Sequence, residues 1–391
     1  MKKYKLMGII ALFALIGFSF AACGDGGGGG SGSGGNNNPD GNNPGGENPV
    51  GGNGSATVYV SGAYFDSNEN GPACYWANGV RTDLPVPNGP WAFATGITVQ
   101  GGKVYVSGNY LDNNDIYKAC YWVNGTRTDL PVPNGTGGEV WDFTVGGEVW
   151  NITVQDGNVY VAGRYFINDD REPGLPCYWV NGVIKDLPVP NETIGGAYGI
   201  AVQGNNVYVT GHYYDSNYNR TACYWVNGAR TDLPIPNGTE DGGAAGGIVV
   251  QGGNVYASGV YSNNGNNATA CYWVNGTRTD LPLPNGTNGG ARGIAVQGGN
   301  IYVSGGYWDS NFISKACYWV NGTRTDLSGI YGDYDLYPDI TVNNGNVYVS
   351  GNYLDNNDNS KACYWVDGTR KDLTVPSGTG GFATGIAVVT Q

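Results

Sequence analysis

Histidine occurs once in the 391 residues, at His212, and methionine only twice. A single imidazole nearly excludes a Ser-His-Asp triad or a histidine-based metal cluster. No C-x-x-C pair is present, so thiolate metal sites lack their ligand spacing. Basic side chains are scarce: 19 Lys and Arg stand against 32 Asp and Glu, a formal net charge of −13. That balance gives no footprint for phosphate backbones and speaks against nucleic acid as a partner, while favouring solubility. Beyond residue 22 there is almost no helix-forming stretch. What the chain has instead is 69 glycines, 29 tyrosines and 11 tryptophans, a composition of strands and tight turns.

The one long apolar run, Leu6 to Ala22, follows a basic start (Lys2, Lys3, Lys5) and has the form of an export signal over residues 1–22. Its end, Phe20-Ala21-Ala22-Cys23, resembles the lipobox of bacterial lipoproteins, with Phe20 where Leu is commoner. That resemblance implies cleavage before Cys23 and acylation of its sulfur and amine. Without the three leader lysines, 16 basic side chains face 32 acidic ones. Residues 24–55 are nearly all Gly, Asn, Ser, Pro and Asp, so 23–55 reads as a lipid-anchored flexible linker. As a coil it spans roughly 30 Å, and fully stretched about 100 Å. The expected location is exported and lipid-anchored, at the outer membrane or cell surface.

Self-similarity dominates the rest. Cys74, Cys120, Cys177, Cys223, Cys271, Cys317 and Cys363 each sit in a copy of one phrase, as in Ala119-Cys120-Tyr121-Trp122-Val123-Asn124-Gly125. Each repeat reads as four short strands. Asn-Gly between the third and fourth suits a type I′ turn, and the prolines after the fourth end the ladder. Four antiparallel strands in about 46 residues match a propeller blade. The array starts with a second strand at Val58–Gly62 and stops after a first strand at Gly385–Val389. The simplest solution is a ring over 56–391: an all-β, seven-bladed β-propeller of four-stranded antiparallel blades, closed by the C-terminal strand.

The phrase Lys315-Ala316-Cys317-Tyr318-Trp319, then Asn321-Gly322, then Asp326-Leu327, resembles the repeats of bacterial extracellular HAF-repeat proteins. It departs from them in having Cys for the first aromatic and Pro or Ser after Asp-Leu. The resemblance implies an exported, propeller-like protein and no particular activity.

Several features look like chemistry. The cysteines, an odd set at equivalent positions, fit reduced apolar packing, because stacked sheets lie farther apart than a disulfide reaches. Asn124, Asn275 and Asn321 match the glycosylation sequon but are explained as hairpin turns. Loops such as Asp66–Gly71, Asp215–Asn219 and Asp355–Asn359 echo half of a calcium loop, yet the bidentate Glu is missing: the twelfth position from Asp66 is Ala77. Arg-x-Asp pairs, such as Arg81 with Asp83, recur in six copies and read as structural. No cofactor or metal is expected, and no carboxylate pair stands out for glycoside hydrolysis.

Binding is best sought where the blades differ. Near the channel mouth the chain places Thr95, Trp150, Tyr198, Gly246, Arg292, Pro338 and Thr384, one per blade. At the end of the second strands come Ala63, Asn109, Arg164, His212, Val260, Gly306 and Asn352. The loops add Trp91, Phe93, Tyr331, Tyr334 and Tyr337. A nine-residue tandem duplication, Gly137–Val145 then Gly146–Val154, loops out Trp141. The candidate ligand-binding residues are therefore Trp91, Phe93, Trp141, Trp150, Arg164, Tyr198, His212, Arg292, Tyr331 and Tyr334. They suggest a monomeric, non-enzymatic, surface-displayed module engaging a protein or glycan through the aromatic loop face. The alternatives are an envelope scaffold or assembly partner, and a glycan hydrolase or lyase using loop carboxylates.

Overall fold

The computed structural model describes residues 56–66, 70–87, 91–113, 116–133, 146–166, 174–190, 194–236, 242–262, 268–285, 287–311, 313–329 and 338–390. Cys23, Trp141, Tyr331, Tyr334 and Tyr337 lie outside them, as do the signal and linker. The described residues form seven four-stranded antiparallel sheets. Each inner strand packs beside the inner strands of both neighbouring blades, all the way around the ring.

Closure works as the chain ends imply. Blade 1 is assembled from Gly380–Thr390, Ala56–Phe65, Ala73–Ala77 and Val80–Asp83, in that order. The C-terminal strand pairs antiparallel with the N-terminal one from Ala56↔Thr390 to Phe65↔Gly380. Blades 2 to 7 follow in sequence, with inner strands at Ala92–Gln100, Gly146–Gln155, Gly195–Gln203, Gly243–Gln251, Asn288–Gln297 and Ile340–Asn343.

The repeated phrase supplies the mortar. Every repeat Trp is buried, from Trp76 to Trp365. Each indole Nε1–H donates to a backbone carbonyl of the preceding blade just after its Asp-Leu, as in Trp122 to Pro85 (3.0 Å), Trp319 to Pro282 (3.0 Å) and Trp365 to Ser328 (3.3 Å). Trp76 donates to Thr374 at 2.8 Å across the closure, so the seam is made like the other joints. This explains why Pro, Ser or Thr can follow Asp-Leu: what the position supplies in every blade is a carbonyl. Beneath each Trp the second strand carries a glycine. A Cβ at Gly108 would lie 2.4 Å from the Phe93 carbonyl oxygen and 2.8 Å from the Trp122 ring, leaving no space for one.

The hairpin asparagines do two things. Asn78, Asn124, Asn181, Asn227, Asn275 and Asn321 take positive φ of 47–50°, as type I′ turns require. Their side-chain oxygens also accept second-strand amides, as with Val104 N–H to Asn124 Oδ1 at 2.9 Å. Asp367 replaces Asn in blade 7 and accepts from Val347 in the same way. The sequon match at Asn124, Asn275 and Asn321 is thus accounted for by backbone geometry.

Cys74 and its six counterparts are buried and free. Burial first, then the nearby outer-strand aspartate, pushes the Cys120 thiol well above its ordinary range. These thiols should stay silent towards a thiol reagent such as DTNB in the folded protein and react when denaturant is added. Reaction under native conditions would contradict this packing.

On the outer strand, Arg and Asp of the Arg-x-Asp pairs meet directly, at 2.8 Å in Arg278–Asp280. The guanidinium lies over a second-strand tyrosine, 4.7 Å from the Tyr261 centroid, and that tyrosine's hydroxyl donates to the same aspartate at 3.0 Å. The arrangement recurs with Tyr64, Tyr110, Tyr213, Tyr307 and Tyr353. It is a rivet repeated around the rim.

Candidate functional site at the channel mouth

The residues that differ from blade to blade are aimed inward by β-bulges. In blades 2 to 6 the pairing of inner and second strands slips after Ala94, Val149, Ala197, Ala245 and Ala291. Blade 1 slips between Ala383 and Ile386. The residues displaced from the ladder include Thr95, Trp150, Tyr198, Gly246, Arg292 and Thr384. They sit inside the inner strands rather than before them, and so does Phe93, expected in a loop. A bulge re-aims a side chain at the cost of ladder bonds.

A hydroxyl in the second strand repairs that loss. Gly199 N–H donates to Thr210 Oγ1 at 3.2 Å, and Gly247, Gly293, Asp339 and Gly385 amides donate to Ser258, Ser304, Ser350 and Ser61 at 3.1 Å. The hydroxyl then donates onward to the next blade: Thr210 to Gly246, Ser258 to Arg292, Ser304 to Pro338 and Ser350 to Thr384 carbonyls. Backbone variation at the mouth is therefore minimal while side chains are free to differ. Blade 3 has Ala162 at this position, and its bulge carries the largest side chain of the set, Trp150.

Five of the sequence candidates converge across blades 3, 4 and 6. Trp150 meets Tyr198 edge to face at 5.0 Å, and Tyr198 stacks on His212 at 5.5 Å, its hydroxyl 3.0 Å from His212 Nδ1. Tyr214 closes on the far side of His212 at 5.2 Å. Arg164 lies 5.4 Å from the Trp150 centroid and 4.9 Å from that of Phe166, and its Nη2 is 3.1 Å from Glu148 Oε2. Arg292 comes from blade 6 to within 5.6 Å of the Tyr198 centroid in blade 4. It passes Gly246 at the intervening bulge of blade 5, where an added Cβ would stand 3.1 Å from the Arg292 carbonyl oxygen and 3.6 Å, an ordinary contact distance, from Arg292 Cδ. Trp150, Arg164, Tyr198 and His212 are buried and form a floor, while Arg292 and Tyr214 keep partial exposure.

Electrostatics follows from enclosure. Burial, with help from Arg220 and Arg164, holds the His212 imidazole well below its ordinary range, so it is neutral at physiological pH. Burial pushes the Tyr198 hydroxyl up to about 12 against the pull of Arg164, Arg220 and Arg292. Asp339, at the same mouth in blade 7, is enclosed enough that its carboxyl rises to about 6, opposed by amides of Ile340 and Ile386 and by Arg292. Its Oδ1 accepts from Ile340 N–H at 2.9 Å and its Oδ2 from Ile386 N–H at 3.3 Å.

A carboxyl raised in the folded state favours folding while it is protonated. The contribution is complete below the unfolded value near 4 and disappears as pH rises through about 6. Allowing for the solvent contact the residue retains, wild-type stability should lose about 1–3 kcal/mol to this group between pH 4 and 6. Asp339→Asn should flatten that segment of the curve in denaturant titrations at several pH values. An unchanged slope would refute the assignment.

The other candidates are placed elsewhere. Trp91 and Phe93 pack together at 4.6 Å, with Tyr117 edge-on to Trp91 at 5.8 Å. Phe93 is buried and Trp91 partly exposed. Asn109 is a strut rather than a free binding group: it exchanges two hydrogen bonds with the Val149 backbone, at 2.9 and 3.0 Å. The loop aspartates cap their own turns, as Asp215 Oδ1 accepts Asn217 and Asn219 amides at 2.8 and 2.9 Å. Those amides hold the Asp215 carboxyl below the usual range, and the Asn359 and Asn357 amides do the same for Asp355. Among the described residues no group of His, Cys, Asp and Glu is arranged to hold a metal ion.

Glu148, Arg220, Tyr214 and Asp339 belong to the site and were not singled out from sequence. Glu148 carries a signal in hindsight, since it stands directly opposite Arg164 in the ladder.

No protein-family profile matches the chain, and no curated protein is similar to it in sequence. Solved structures resemble its chain path. An ulvan lyase of a polysaccharide-lyase family is 12% identical, covering 85% of this chain and 91% of its own, with a TM-score of 0.43. A variant of Aleuria aurantia lectin in complex with alpha-methyl-L-fucoside is 11% identical, covering 73% and 96%, with a TM-score of 0.42. A protein from Bacteroides fragilis described as a 6-phosphogluconolactonase is 14% identical, covering 86% and 98%, with a TM-score of 0.40. At these values the likeness bears on neither ligand nor activity.

Proposed function

We propose that this ring is a binding module, lipid-anchored through Cys23 and displayed at the cell surface, that engages a protein or glycan at one mouth of its channel without catalysing a reaction. The observation that carries the reading is the set of bulges. Six blades displace a residue from the ladder at the mouth, and the chemically distinctive ones, Trp150, Tyr198 and Arg292, stand on blades 3, 4 and 6. A repeat scaffold with one asymmetric patch is what a single ligand requires. The described loop aspartates are occupied as turn caps, His212 is buried and neutral, and both carboxyl oxygens of Asp339, the one raised acid at the mouth, accept backbone amides, which supports binding over acid–base chemistry.

The test combines a glycan array with a pull-down from surface extracts, using wild type and substitutions of the partly exposed mouth residues, Tyr214→Ala and Arg292→Ala. Retention of a glycan or protein that is lost in either variant supports the proposal. Flat results in both assays favour an envelope scaffold, and turnover of a glycan abolished by one carboxylate substitution would establish the enzymatic alternative. Anchoring is tested separately: Cys23→Ala should move the protein from the membrane to the soluble fraction, and protease should reach the wild type on intact cells.

A further inference from the structure

Blade 3 is offered two inner strands. Residues 137–145 and 146–154 differ only in Asp142 for Asn151 and Phe143 for Ile152. The second copy is the strand that pairs with Asn158–Phe166, and the first lies outside the described residues. Chain length does not favour the second. Between the Leu of Asp-Leu and the inner-strand residue opposite the second-strand tyrosine, four joints leave seven residues: Leu84 to Ala92, Leu187 to Gly195, Leu281 to Gly289 and Leu373 to Gly381. Leu130 to Gly147 leaves sixteen. Counted to Gly138, the same point of the first copy, the interval is again seven. The second copy in turn has the ordinary exit, a tight turn at Asp156 and Gly157 with φ of 51° and 78°. Each copy thus has one regular connection and one that is nine residues longer.

We infer that blade 3 exchanges strands: the first copy enters the inner-strand slot as a minor alternative to the second, and nine residues pass from the mouth end of the blade to its far end. Most of the slot is unchanged by the exchange. Glu139 takes the place of Glu148 opposite Arg164, and Trp141 that of Trp150 at the bulge. Asp142 falls where Asn151 stands, a position at which blade 7 carries Asp339, bonded to the Ile340 and Ile386 amides, so the ring already accommodates an aspartate there. Phe143 is the exception. Every inner strand has Ile at this phase, from Ile97 to Ile386, and Ile152 packs in the core of its blade with Val161 and Trp179. Overpacking such a position with an aromatic ring biases the slot towards the second copy by about tenfold to a hundredfold, which keeps the alternative within the range of populated minor states. The long connection costs little more at one end than at the other, since closure entropy grows slowly with length.

Hydrogen exchange by mass spectrometry on the full chain reads this directly, because a strand that leaves its slot without global unfolding loses protection. In wild type the amides of Ile152 to Val154 should exchange at least tenfold faster than those of Ile200 to Val202 in blade 4. Val140→Asp disables the first copy, whose counterpart Val149 is fully buried, and leaves every connection at its length. It should slow exchange at Ile152 to Val154 about tenfold or more. Phe143→Ile should speed exchange there and bring protection to Val140 to Thr144. A chain lacking residues 146–154 should melt cooperatively on the first copy, as a chain lacking residues 137–145 does on the second. Equal protection of Ile152 to Val154 in wild type, Val140→Asp and Phe143→Ile would overturn the inference. So would loss of the cooperative transition on removing 146–154 while removal of 137–145 preserves it, because the first copy would then be unable to fill the slot.

Discussion

Deletion of Gly380–Gln391 is expected to abolish cooperative folding. The segment forms the inner strand of blade 1, pairs along the whole of Ala56–Phe65 and buries Ala383 and Ile386. Thr384 adds bonds to the Ser61 and Ala94 carbonyls at 3.2 and 2.9 Å, joining blades 1 and 2. Each lost ladder bond is worth about 1 kcal/mol and each buried aliphatic side chain roughly 1.5–3 kcal/mol. The sum reaches the ~5–15 kcal/mol by which a domain is stable at all. The truncated chain also exposes a long unpaired edge, which invites aggregation. Circular dichroism melts and size-exclusion chromatography should show loss of the sharp transition and appearance of aggregates. A truncation that melts like wild type would mean that blade 1 does not need its C-terminal strand.

The second large effect belongs to the repeat tryptophans. Trp319→Ala should destabilise the protein by about 3–5 kcal/mol, as removal of a buried Trp leaves a cavity between blades. Trp319→Phe separates the two contributions. It keeps most of the volume but leaves the Pro282 carbonyl without its donor, which should cost about 1–3 kcal/mol. Chemical denaturation at equilibrium reads both values. Near-equal small losses would show that this joint contributes little to the ring.

The contrast between scaffold and site explains what could be read from the sequence. The blade count, the hairpins and the closing strand were legible because each is stated seven times in the repeat or required by the chain ends. Cys120 and Trp122 recur at one phase, so their burial follows from periodicity. The bulges were not legible, since nothing in an apolar pattern announces an extra residue. Their trace is the hydroxyl at Ser61, Ser107, Thr210, Ser258, Ser304 and Ser350, a polar residue kept in the middle of an apolar strand. It reads as a neutral filler until the amide it accepts is seen. The convergence of Arg164, Arg220 and Arg292 was also hidden: they lie at three different phases of the repeat, and only the ring brings them to one mouth. Arg292 in particular reaches Tyr198 from two blades away, past Gly246.

This division of labour has a physical logic. Indole-to-carbonyl bonds, hydroxyl relays and Arg–Tyr–Asp rivets are backbone-directed or repeated, so they hold every blade whatever its mouth residue is. Apart from Thr384 and Thr95, whose hydroxyls bond to neighbouring strands, the bulge side chains are outside that frame and can differ. Among the described residues, the mouth therefore concentrates the one histidine, the non-rivet arginines and two of the departing aromatics, Trp150 and Tyr198.

Hydrogen exchange by mass spectrometry on the intact chain tests the closed ring most directly. Amides of Ile386 to Val388 should be protected to the same degree as Ile200 to Val202 in blade 4, because both are inner strands paired on one side and packed between neighbours. Exchange of Ile386 to Val388 at the rate of an unstructured tail, with Ile200 to Val202 still protected, would contradict closure and with it the single mouth at which the site is built.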